Sequence, residues 1–206
     1  MEALGVKRTF VIGHQRLIVT ENRGPFEATH IIRLSTPLAA RFKGNVWNHR
    51  MIAIRKYQRA DARAVTTLVS KTYWRFNSDE GIGRALLAYV QSFDPKGKRT
   101  EDIHERFSRT PTCFVALDGS RVIGMVRGTE NRLINLFVDG DYHRQGIATR
   151  LVRRFEKTCL KAGITDIVLR GSLYATPFYE SMGYKKTTGV RNFHGLKVQP
   201  MRRKLK

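Results

Sequence analysis

The spacing of apolar and polar residues changes character near residue 51 of this chain. From there onward, β-branched runs alternate with stretches whose apolar residues recur every three or four positions, which is typical of strands and amphipathic helices. The pattern predicts, in order, a strand, two or three helices, a three-strand meander, a helix, a strand, a short helix and further strands. Since hairpins and crossovers alternate in that order, we expect an α/β fold with a mixed, mostly antiparallel central sheet and helices on both faces.

Turn residues and caps set the boundaries of these elements. Asp118-Gly119 between two apolar runs is a strong hairpin signal, and Gly163 marks the end of a long helix. A last hairpin is expected around Thr188-Gly189. The predicted strands are 51–57, 113–117, 121–128, 133–138, 164–169, 184–187 and 192–201, and the predicted helices are 61–76, 83–93, 101–108, 146–163 and 173–182.

Residues 1–50 show no continuous amphipathic pattern. Their strand-like runs are short and interrupted by Gly and Pro: 9–12, 17–20 and 29–34. We interpret this part as an N-terminal extension, weakly structured or upstream of a natural start at Met51, followed by one domain over 51–206. A targeting segment is the alternative, because the stretch contains Arg and few acidic residues. Few core contacts are expected from its apolar side chains, among them Phe10, Val11 and Ile31.

Length and composition narrow the class of protein. The 206 residues suffice for one ordinary domain plus an extension, and 41% hydrophobic residues suffice for a packed core. No apolar run approaches the roughly 18 to 20 residues that cross a bilayer, so we expect no membrane contact. Cys113 and Cys159 have neither metal-ligand nor disulfide spacing, which favours a reduced, cytoplasmic chain without a metal.

The net charge of +21 is the unusual global feature. It is spread along the chain: residues 111–206 alone carry 18 Lys and Arg against 7 Asp and Glu. Such a charge favours polyanionic partners or acidic substrates. A basic surface without a specific nucleic-acid partner is the more ordinary interpretation, and the chain lacks the interleaved aromatic and basic residues of a stacking surface. A nucleic-acid partner is therefore possible but not favoured.

The stretch 133–149 combines a strand, a turn and the start of a helix. An apolar run ends at the turn cluster Asp139-Gly140-Asp141, and the helical pattern begins at Gly146. The unpaired N–H groups and the dipole at such a helix start favour an anion, typically a phosphate. A glycine at a helix start is more often only a turn, so this stretch alone predicts a phosphate site weakly.

Two motifs in this half of the chain strengthen that prediction. The first is His143-Arg144-Gln145-Gly146-Ile147-Ala148, and the second comprises Ser172, Ala175, Phe178, Tyr179, Gly183 and Tyr184. Over residues 51–206, their order and spacing resemble the GCN5-related N-acetyltransferase (GNAT) superfamily. Its pyrophosphate motif reads Gln/Arg-x-x-Gly-x-Gly/Ala, and its second motif ends in Phe-Tyr-x-x-x-Gly-Phe/Tyr. His143 replaces Gln or Arg, which is a mild departure because backbone N–H groups make most of those contacts.

The resemblance implies a GNAT-like acyl-CoA N-acyltransferase fold with acetyl-CoA as donor and an amine as acceptor. It implies that backbone N–H groups of the first motif hold the pyrophosphate and that the strand before it pairs with the pantetheine arm, where two strands splay apart. The residues expected to bind the cofactor are Leu136, Phe137, Val138, His143, Arg144, Gln145, Gly146, Ile147, Ala148, Thr149, Ser172, Ala175 and Phe178.

The resemblance also implies that Tyr179 is the general acid that protonates the departing thiolate. A phenol suits this role because its pKa, near 10, lies close to that of a thiol. A tyrosine packed under the sheet with a satisfied hydroxyl is the alternative. Many relatives place a basic carboxylate on the fourth strand, where this chain has Asn135. No base is therefore assigned, and a water relay or a partly neutral amine would suffice.

Two interpretations remain open on the sequence alone. One is an N-acetyltransferase that acts on a primary amine of a small molecule or peptide, with a homodimer as one assembly open to it. The other is a basic acyl-CoA-binding protein, or an RNA-directed enzyme that resembles tRNA-acetylating toxins. The resemblance implies that the helices and loop between residues 59 and 110 and the C-terminal hairpin select the acceptor, and neither carries a recognisable acceptor motif.

Overall fold

The computed structural model describes residues 7–13, 16–23, 26–33, 52–81, 83–93 and 100–206. The chain divides into two compact units, Met1–His49 and Arg50–Lys206. Each unit is described by itself.

The first unit contains a three-stranded antiparallel sheet. Its strands are β1 (Lys7–Gly13), β2 (Arg16–Arg23) and β3 (Phe26–Arg33), in the order β1-β2-β3. They extend the short strand-like runs expected from the sequence into regular strands. The packing expected of Phe10, Val11 and Ile31 concerns side chains outside the described part of the chain. The interpretation of residues 1–50 as an extension stays a prediction.

The second unit has one sheet and five helices in its described part. The strands are β4 (Ile52–Lys56), β5 (Thr112–Asp118), β6 (Arg121–Thr129), β7 (Arg132–Val138), β8 (Asp166–Gly171), β9 (Lys185–Lys186), β10 (Arg191–Phe193) and β11 (Leu196–Lys204). The helices are α1 (Ala62–Asn77), α2 (Gly83–Gln91), α3 (Thr100–Ser108), α4 (Ile147–Lys161) and α5 (Thr176–Ser181).

The sheet is mixed and mostly antiparallel, as the sequence pattern predicted. Its order is β10-β11-β8-β7-β6-β5-β4, and β9 also pairs with β11. Among the strands that the structure describes, β7 and β8 are the one parallel pair. Helices α1, α2 and α3 pack on one face around Val69, Val115 and Met125, whereas α4 packs on the other around Phe155, Ile123 and Ile167. The α/β architecture with helices on both faces is confirmed.

Helix α4 forms because most of its apolar residues recur at helical spacing on one face and most of its exposed positions are polar. The buried positions are Ile147, Leu151, Val152, Phe155, Glu156 and Cys159. Gly146 precedes the helix with a φ of 75° and Gly163 follows it with a φ of 76°, a region that glycine adopts without strain. The helix therefore begins and ends where the glycines predicted.

Strands β7 and β8 pair over a short distance only. Arg132 faces Val168 and Leu133 faces Leu169, and within the described residues the parallel register continues no further. Strand β7 stays paired with β6 up to Val138. The two central strands therefore diverge after Leu133 and leave a gap in the sheet beside the second half of β7.

The predicted antiparallel pairing of 184–187 with 192–201 is present as β9 with β11, where Lys186 faces Met201, but the tight turn of the last hairpin lies elsewhere than predicted. Strands β10 and β11 are joined at His194-Gly195, where both residues have positive φ, and not at Thr188-Gly189. The Asn192 side-chain oxygen accepts a hydrogen bond from the Gly195 N–H at 2.8 Å, which stabilises this turn. The expected strand 192–201 is therefore two strands, because Asn-Phe-His-Gly carries a turn signal of its own.

Among the helices in the described part of the chain, none is both long enough and apolar enough to cross a membrane.

We predict that Gly128→Ala destabilises this unit. A Cβ at position 128 would collide with the Phe155 ring and lie 2.5 Å from the Arg132 carbonyl oxygen. Overpacking of this kind lowers the free energy of unfolding by about 1–3 kcal/mol, which urea denaturation would measure. Gly83→Ala is the matched control, because a Cβ there meets nothing within 4 Å and alanine favours the helix. Equal stability of the two variants would contradict the packing described here.

Candidate cofactor and acceptor site

The turn before α4 presents an open surface lined by backbone. Gly146 is exposed, and a Cβ added to it would meet nothing within 4 Å. The N–H groups of Ile147, Ala148 and Thr149 lie in the first turn of a helix, where no intrahelical acceptor is available. Arg144 also has a positive φ, of 62°. Free N–H groups beside open space are suited to a phosphate, the anion expected at this turn from the sequence.

Asp139 holds the chain between β7 and this turn. The residue is 4% exposed. Its carboxylate accepts hydrogen bonds from Arg121 at 2.7 Å, from Lys71 at 3.3 Å and from the Asp141 N–H at 3.3 Å. Burial alone would raise the pKa of Asp139, but the Asp141 N–H, Lys71 and Arg121 outweigh it and lower the pKa. The side chain is thus an anionic anchor that ties α1, β6 and the turn together.

The His143 side chain turns back towards the sheet. Its Nε2 lies 2.9 Å from the Val138 carbonyl oxygen, and its ring stacks on Phe76 with centroids 4.6 Å apart. The Tyr174 hydroxyl lies 3.4 Å from His143 Nδ1. The ring therefore fixes the turn, and any contact of this residue with a phosphate would come from its backbone.

The residues predicted to bind the cofactor include three on β7 and three that follow β8 in the chain. Phe137 and Val138 are buried and Leu136 is half-buried on β7. After β8, the Ser172 hydroxyl accepts a hydrogen bond from the Ala175 N–H at 3.1 Å, just before α5. Phe178 and Ala175 pack against the same hydrophobic core as Leu136. Residues of both sequence motifs, Ala148 of the first and Ala175 and Phe178 of the second, thus pack against one hydrophobic core.

Tyr179 is 4% exposed and belongs to the core below β8. A Cβ on Gly171 would lie 3.2 Å from the Tyr179 ring, so the glycine makes room for this tyrosine. The ring packs edge-on against Phe178 and Tyr184 at centroid distances of 5.2 and 5.6 Å. Burial raises the pKa of Tyr179, which keeps the phenol protonated at neutral pH but makes it a weaker acid, further from the pKa of a thiol than a free phenol.

Asn135 lies in a polar cluster that sequence reasoning missed. Its Oδ1 accepts a hydrogen bond from Arg127 Nε at 3.1 Å, and its Nδ2 donates to the Tyr89 hydroxyl at 3.1 Å. Both functions of the amide are therefore occupied, and Asn135 orients Arg127 and Tyr89. The only signal in the sequence was an arginine inside the apolar run of β6, at Arg127.

Glu80 is a second residue without a sequence signal. It lies in the turn after α1 and is 7% exposed. Its Oε1 accepts a hydrogen bond from the Tyr174 N–H at 2.6 Å, which fastens the loop between β8 and α5 to the helices of the opposite face. In the sequence, Ser-Asp-Glu-Gly resembles an ordinary solvated turn, so a buried carboxylate was not expected there.

The cysteines are buried thiols. Burial raises the pKa of Cys113 to about 12 and also raises the pKa of Cys159. A thiol with a raised pKa is a poor nucleophile at neutral pH, which agrees with the packing role inferred from the sequence. Within the described residues, no group of three or more His, Cys, Asp or Glu side chains is placed to hold a metal ion.

Comparison with known proteins gives consistent results. The acetyltransferase (GNAT) domain family matches residues 77–205. Human N-acetyltransferase 8 is 36% identical to the chain over a segment that covers 39% of this chain and 41% of that protein. The chain thus spans less than half the length of this relative.

Two solved structures share the fold. A GCN5-related N-acetyltransferase from Rhodopseudomonas palustris superimposes with a TM-score of 0.65 at 18% identity, covering 75% of this chain and 96% of that one. PaiA N-acetyltransferase from Thermoplasma acidophilum, in complex with coenzyme A, gives a TM-score of 0.59 at 19% identity, covering 74% and 98% of the two chains. At these identities, the likeness concerns the fold alone.

We predict that Asp139→Asn lowers the free energy of unfolding at pH 7 by about 1–3 kcal/mol, because a buried anion with charged donors is lost. The folded-state pKa of Asp139 lies below its unfolded value, near 3.9, so its contribution is complete above that value and disappears as pH falls through the folded pKa. Urea denaturation of both proteins should give a constant difference from pH 7 to about pH 5 and a smaller one below pH 4.

Asp141→Asn is the control for this prediction. Asp141 pairs with Arg75 on the surface, where both side chains are at least half exposed. Such a pair contributes roughly 0–1 kcal/mol. A loss at position 139 no greater than at position 141 would show that Asp139 does not anchor the turn.

Proposed function

Because the chain belongs to the GNAT acetyltransferase family, we propose that it transfers an acetyl group from acetyl-CoA to a primary amine of a small molecule or peptide. The observation that carries the proposal is the position of the β7–β8 gap beside the turn before α4. A strand with a free edge and a helix start with free N–H groups, side by side, offer binding surfaces for an amide-containing arm and a pyrophosphate. The coenzyme A complex of the Thermoplasma relative supports this choice of donor.

In this proposal the chain holds the donor mainly through its backbone. The N–H groups from Arg144 to Thr149, including Gln145 and Ile147, bind the pyrophosphate. The edge of β7 at Leu136, Phe137 and Val138, which β8 leaves unpaired, pairs with the pantetheine amides, except at the Val138 carbonyl, which His143 Nε2 already contacts at 2.9 Å. Ser172, Ala175 and Phe178 form the other wall. Acetyl-CoA supplies the activated thioester. The amine nitrogen forms a bond to the acetyl carbon, the carbon–sulfur bond breaks, and the thiolate takes a proton from the Tyr179 hydroxyl.

The attacking amine must lose a proton, and the side chains around Asn135 offer no base for it. The Asn135 amide cannot accept a proton, and the lowered pKa of Asp139 makes that carboxylate a weak base. We propose that the proton leaves through water or that the amine arrives neutral. Either route predicts faster turnover as the pH rises towards the pKa of the amine.

A second candidate function rests on the basic face of α4. Arg150, Arg153, Arg154 and Lys157 line one shallow groove with Ile54, and no acidic side chain lines it. The Arg154 guanidinium lies 5.2 Å from the centroid of Phe114. Four clustered cations fit a phosphate backbone, so an RNA-directed acetyltransferase, or an RNA- or acyl-CoA-binding protein, is the alternative.

Turnover of acetyl-CoA against a panel of amines, with and without tRNA, tests the proposal. We expect CoA release with at least one small amine or peptide in the absence of RNA. Turnover that requires aminoacylated tRNA would support the alternative. Binding of acetyl-CoA in calorimetry without turnover on any acceptor would overturn the enzymatic proposal.

We predict that Tyr179→Phe lowers kcat by roughly 100-fold or more, because the thiolate would leave without an acid. The affinity for acetyl-CoA should stay within about twofold, since the ring and its packing remain. Steady-state kinetics and calorimetry measure the two effects. Tyr184→Phe is the control: it removes a buried hydroxyl that donates to Glu156 at 2.9 Å, in the same core. An equal loss of kcat in both variants would assign the effect to packing.

A further inference from the structure

The Arg127 guanidinium is buried without a counter-ion in the described part of the chain. The residue is 6% exposed on β6. Its Nε donates to Asn135, and its Nη1 lies 3.4 Å from the Arg106 carbonyl oxygen, whereas Nη2 has no acceptor among the described residues. A buried charge normally has a partner of opposite sign, because its removal from water is otherwise uncompensated.

A second arginine adds to this excess of charge. Arg106 on α3 is exposed, and its Nη1 donates to the Ser92 carbonyl oxygen at 3.1 Å. Its guanidinium lies 4.2 Å from the Phe93 ring centroid, and that of Arg127 lies 5.1 Å from the Phe107 ring centroid. Among the residues that the structure describes, no carboxylate forms an ion pair with either arginine. Within the described part of the chain, the cluster thus combines a buried guanidinium, Arg127, with an exposed one, Arg106, and neither has a carboxylate partner there.

The Tyr89 hydroxyl contributes a further donor. It accepts a hydrogen bond from Asn135 Nδ2, so its own proton is free for another acceptor. Burial raises the pKa of Tyr89 to about 12, which keeps that proton in place at neutral pH. The Tyr89 ring packs 5.3 Å from Phe93, the same ring that Arg106 covers. The free polar atoms of the cluster are therefore all donors.

A donor-only cluster with two cations is suited to an anion. Burial and then the neighbouring Arg106 lower the pKa of Arg127 to about 10, so a bound anion would relieve an unfavourable charge. The planar guanidinium presents parallel N–H groups that match a carboxylate. Each guanidinium lies over a phenyl ring, and this cation–π contact restricts its position.

The cluster lies next to the gap in the sheet. Arg127 faces Asn135 in the β6–β7 register. Asn135 is two residues beyond Leu133, the last β7 residue that pairs with β8. Neighbouring strands are about 4.8 Å apart, so Arg127 lies about one strand spacing from the gap. If the amine nitrogen of an acceptor reacts in the gap, an anionic group only a few bonds from that nitrogen would reach this cluster.

We propose that the acceptor is a small primary amine that carries a carboxylate, such as an α-amino acid, and that Arg127, Arg106 and the Tyr89 hydroxyl bind this carboxylate. The inference rests on the proposed acetyl transfer and narrows its acceptor. Asn135 is a positioning residue in this scheme, because it holds Arg127 Nε and the Tyr89 oxygen.

The first test compares acids with their neutral counterparts. Glycine, alanine, leucine and phenylalanine are each assayed beside the corresponding primary amide, by CoA release from acetyl-CoA. We expect kcat/KM to be roughly 10- to 100-fold higher for at least one amino acid than for its amide, the range expected of a hydrogen-bonded charge pair. O-Phosphoethanolamine is included, and faster turnover of it than of every amino acid would overturn the carboxylate in favour of a phosphate.

Variants connect the preference to the cluster. Arg106→Gln and Arg127→Gln should reduce the acid-to-amide ratio by about tenfold, mainly through KM for the acid. Arg109→Gln is the matched control. Arg109 lies about one helical turn after Arg106, is exposed and pairs with Glu105, so its replacement removes the same charge from outside the cluster. It should leave the ratio unchanged. If Arg127→Gln does not fold, Arg106→Gln still tests the carboxylate site, because the Arg106 side chain is exposed and its replacement should not prevent folding.

A binding measurement separates this proposal from acetyl transfer itself. N-acetyl derivatives of the four amino acids and of their amides are titrated into the protein with CoA present. Tighter binding of an acid without turnover of any amine would support the carboxylate site and overturn the enzymatic proposal. Turnover of amines without a preference for acids would support acetyl transfer and overturn the carboxylate site. If no acid exceeds its amide in either assay, the carboxylate proposal is overturned.

Discussion

The early end of pairing between β7 and β8 is the constraint on which the candidate site depends. Only Arg132 and Leu133 of β7 pair with β8. Backbone groups on an unpaired strand edge need other partners, since buried N–H and C=O groups are costly when unsatisfied. The chain places the start of α4 at the same end of β7, so one interruption of the sheet adjoins one set of free N–H groups. Both surfaces require that the turn between them stay fixed.

Asp139 supplies that fixation, and its partners explain why the sequence could not reveal it. The predicted turn at Asp139 is present, and an Asp in a turn needs no further explanation. Lys71 and Arg121 come from α1 and β6, however, and their approach depends on how the helix packs over the sheet. Local patterns predict the turn, whereas the charge network that holds it arises from contacts between residues far apart in the chain.

The same distinction applies to the fold as a whole. Helix α4 and the meander of β5, β6 and β7 were predictable because each has a strong period and is bounded by turn residues. The C-terminal hairpin was misplaced because two turn signals compete within a few residues, and the positive φ of His194 and Gly195 decides between them. Arg127, Tyr89 and Arg106 could not be grouped from the sequence, since they come from β6, α2 and α3.

The contacts of Asn135 in the cluster explain why an amide, and not a carboxylate, occupies this position of β7. A carboxylate at this position would accept from Arg127 Nε as the amide does, but it would also neutralise the guanidinium. An amide satisfies the same donor and leaves the positive charge available. It also donates to the Tyr89 oxygen, which a carboxylate cannot do, and so directs the Tyr89 proton elsewhere. Asn135 cannot act as a base, but it can keep the proposed anion site positively charged and free of hydrogen-bond acceptors from the protein itself. Such a site is what recognition of an amine with a carboxylate requires.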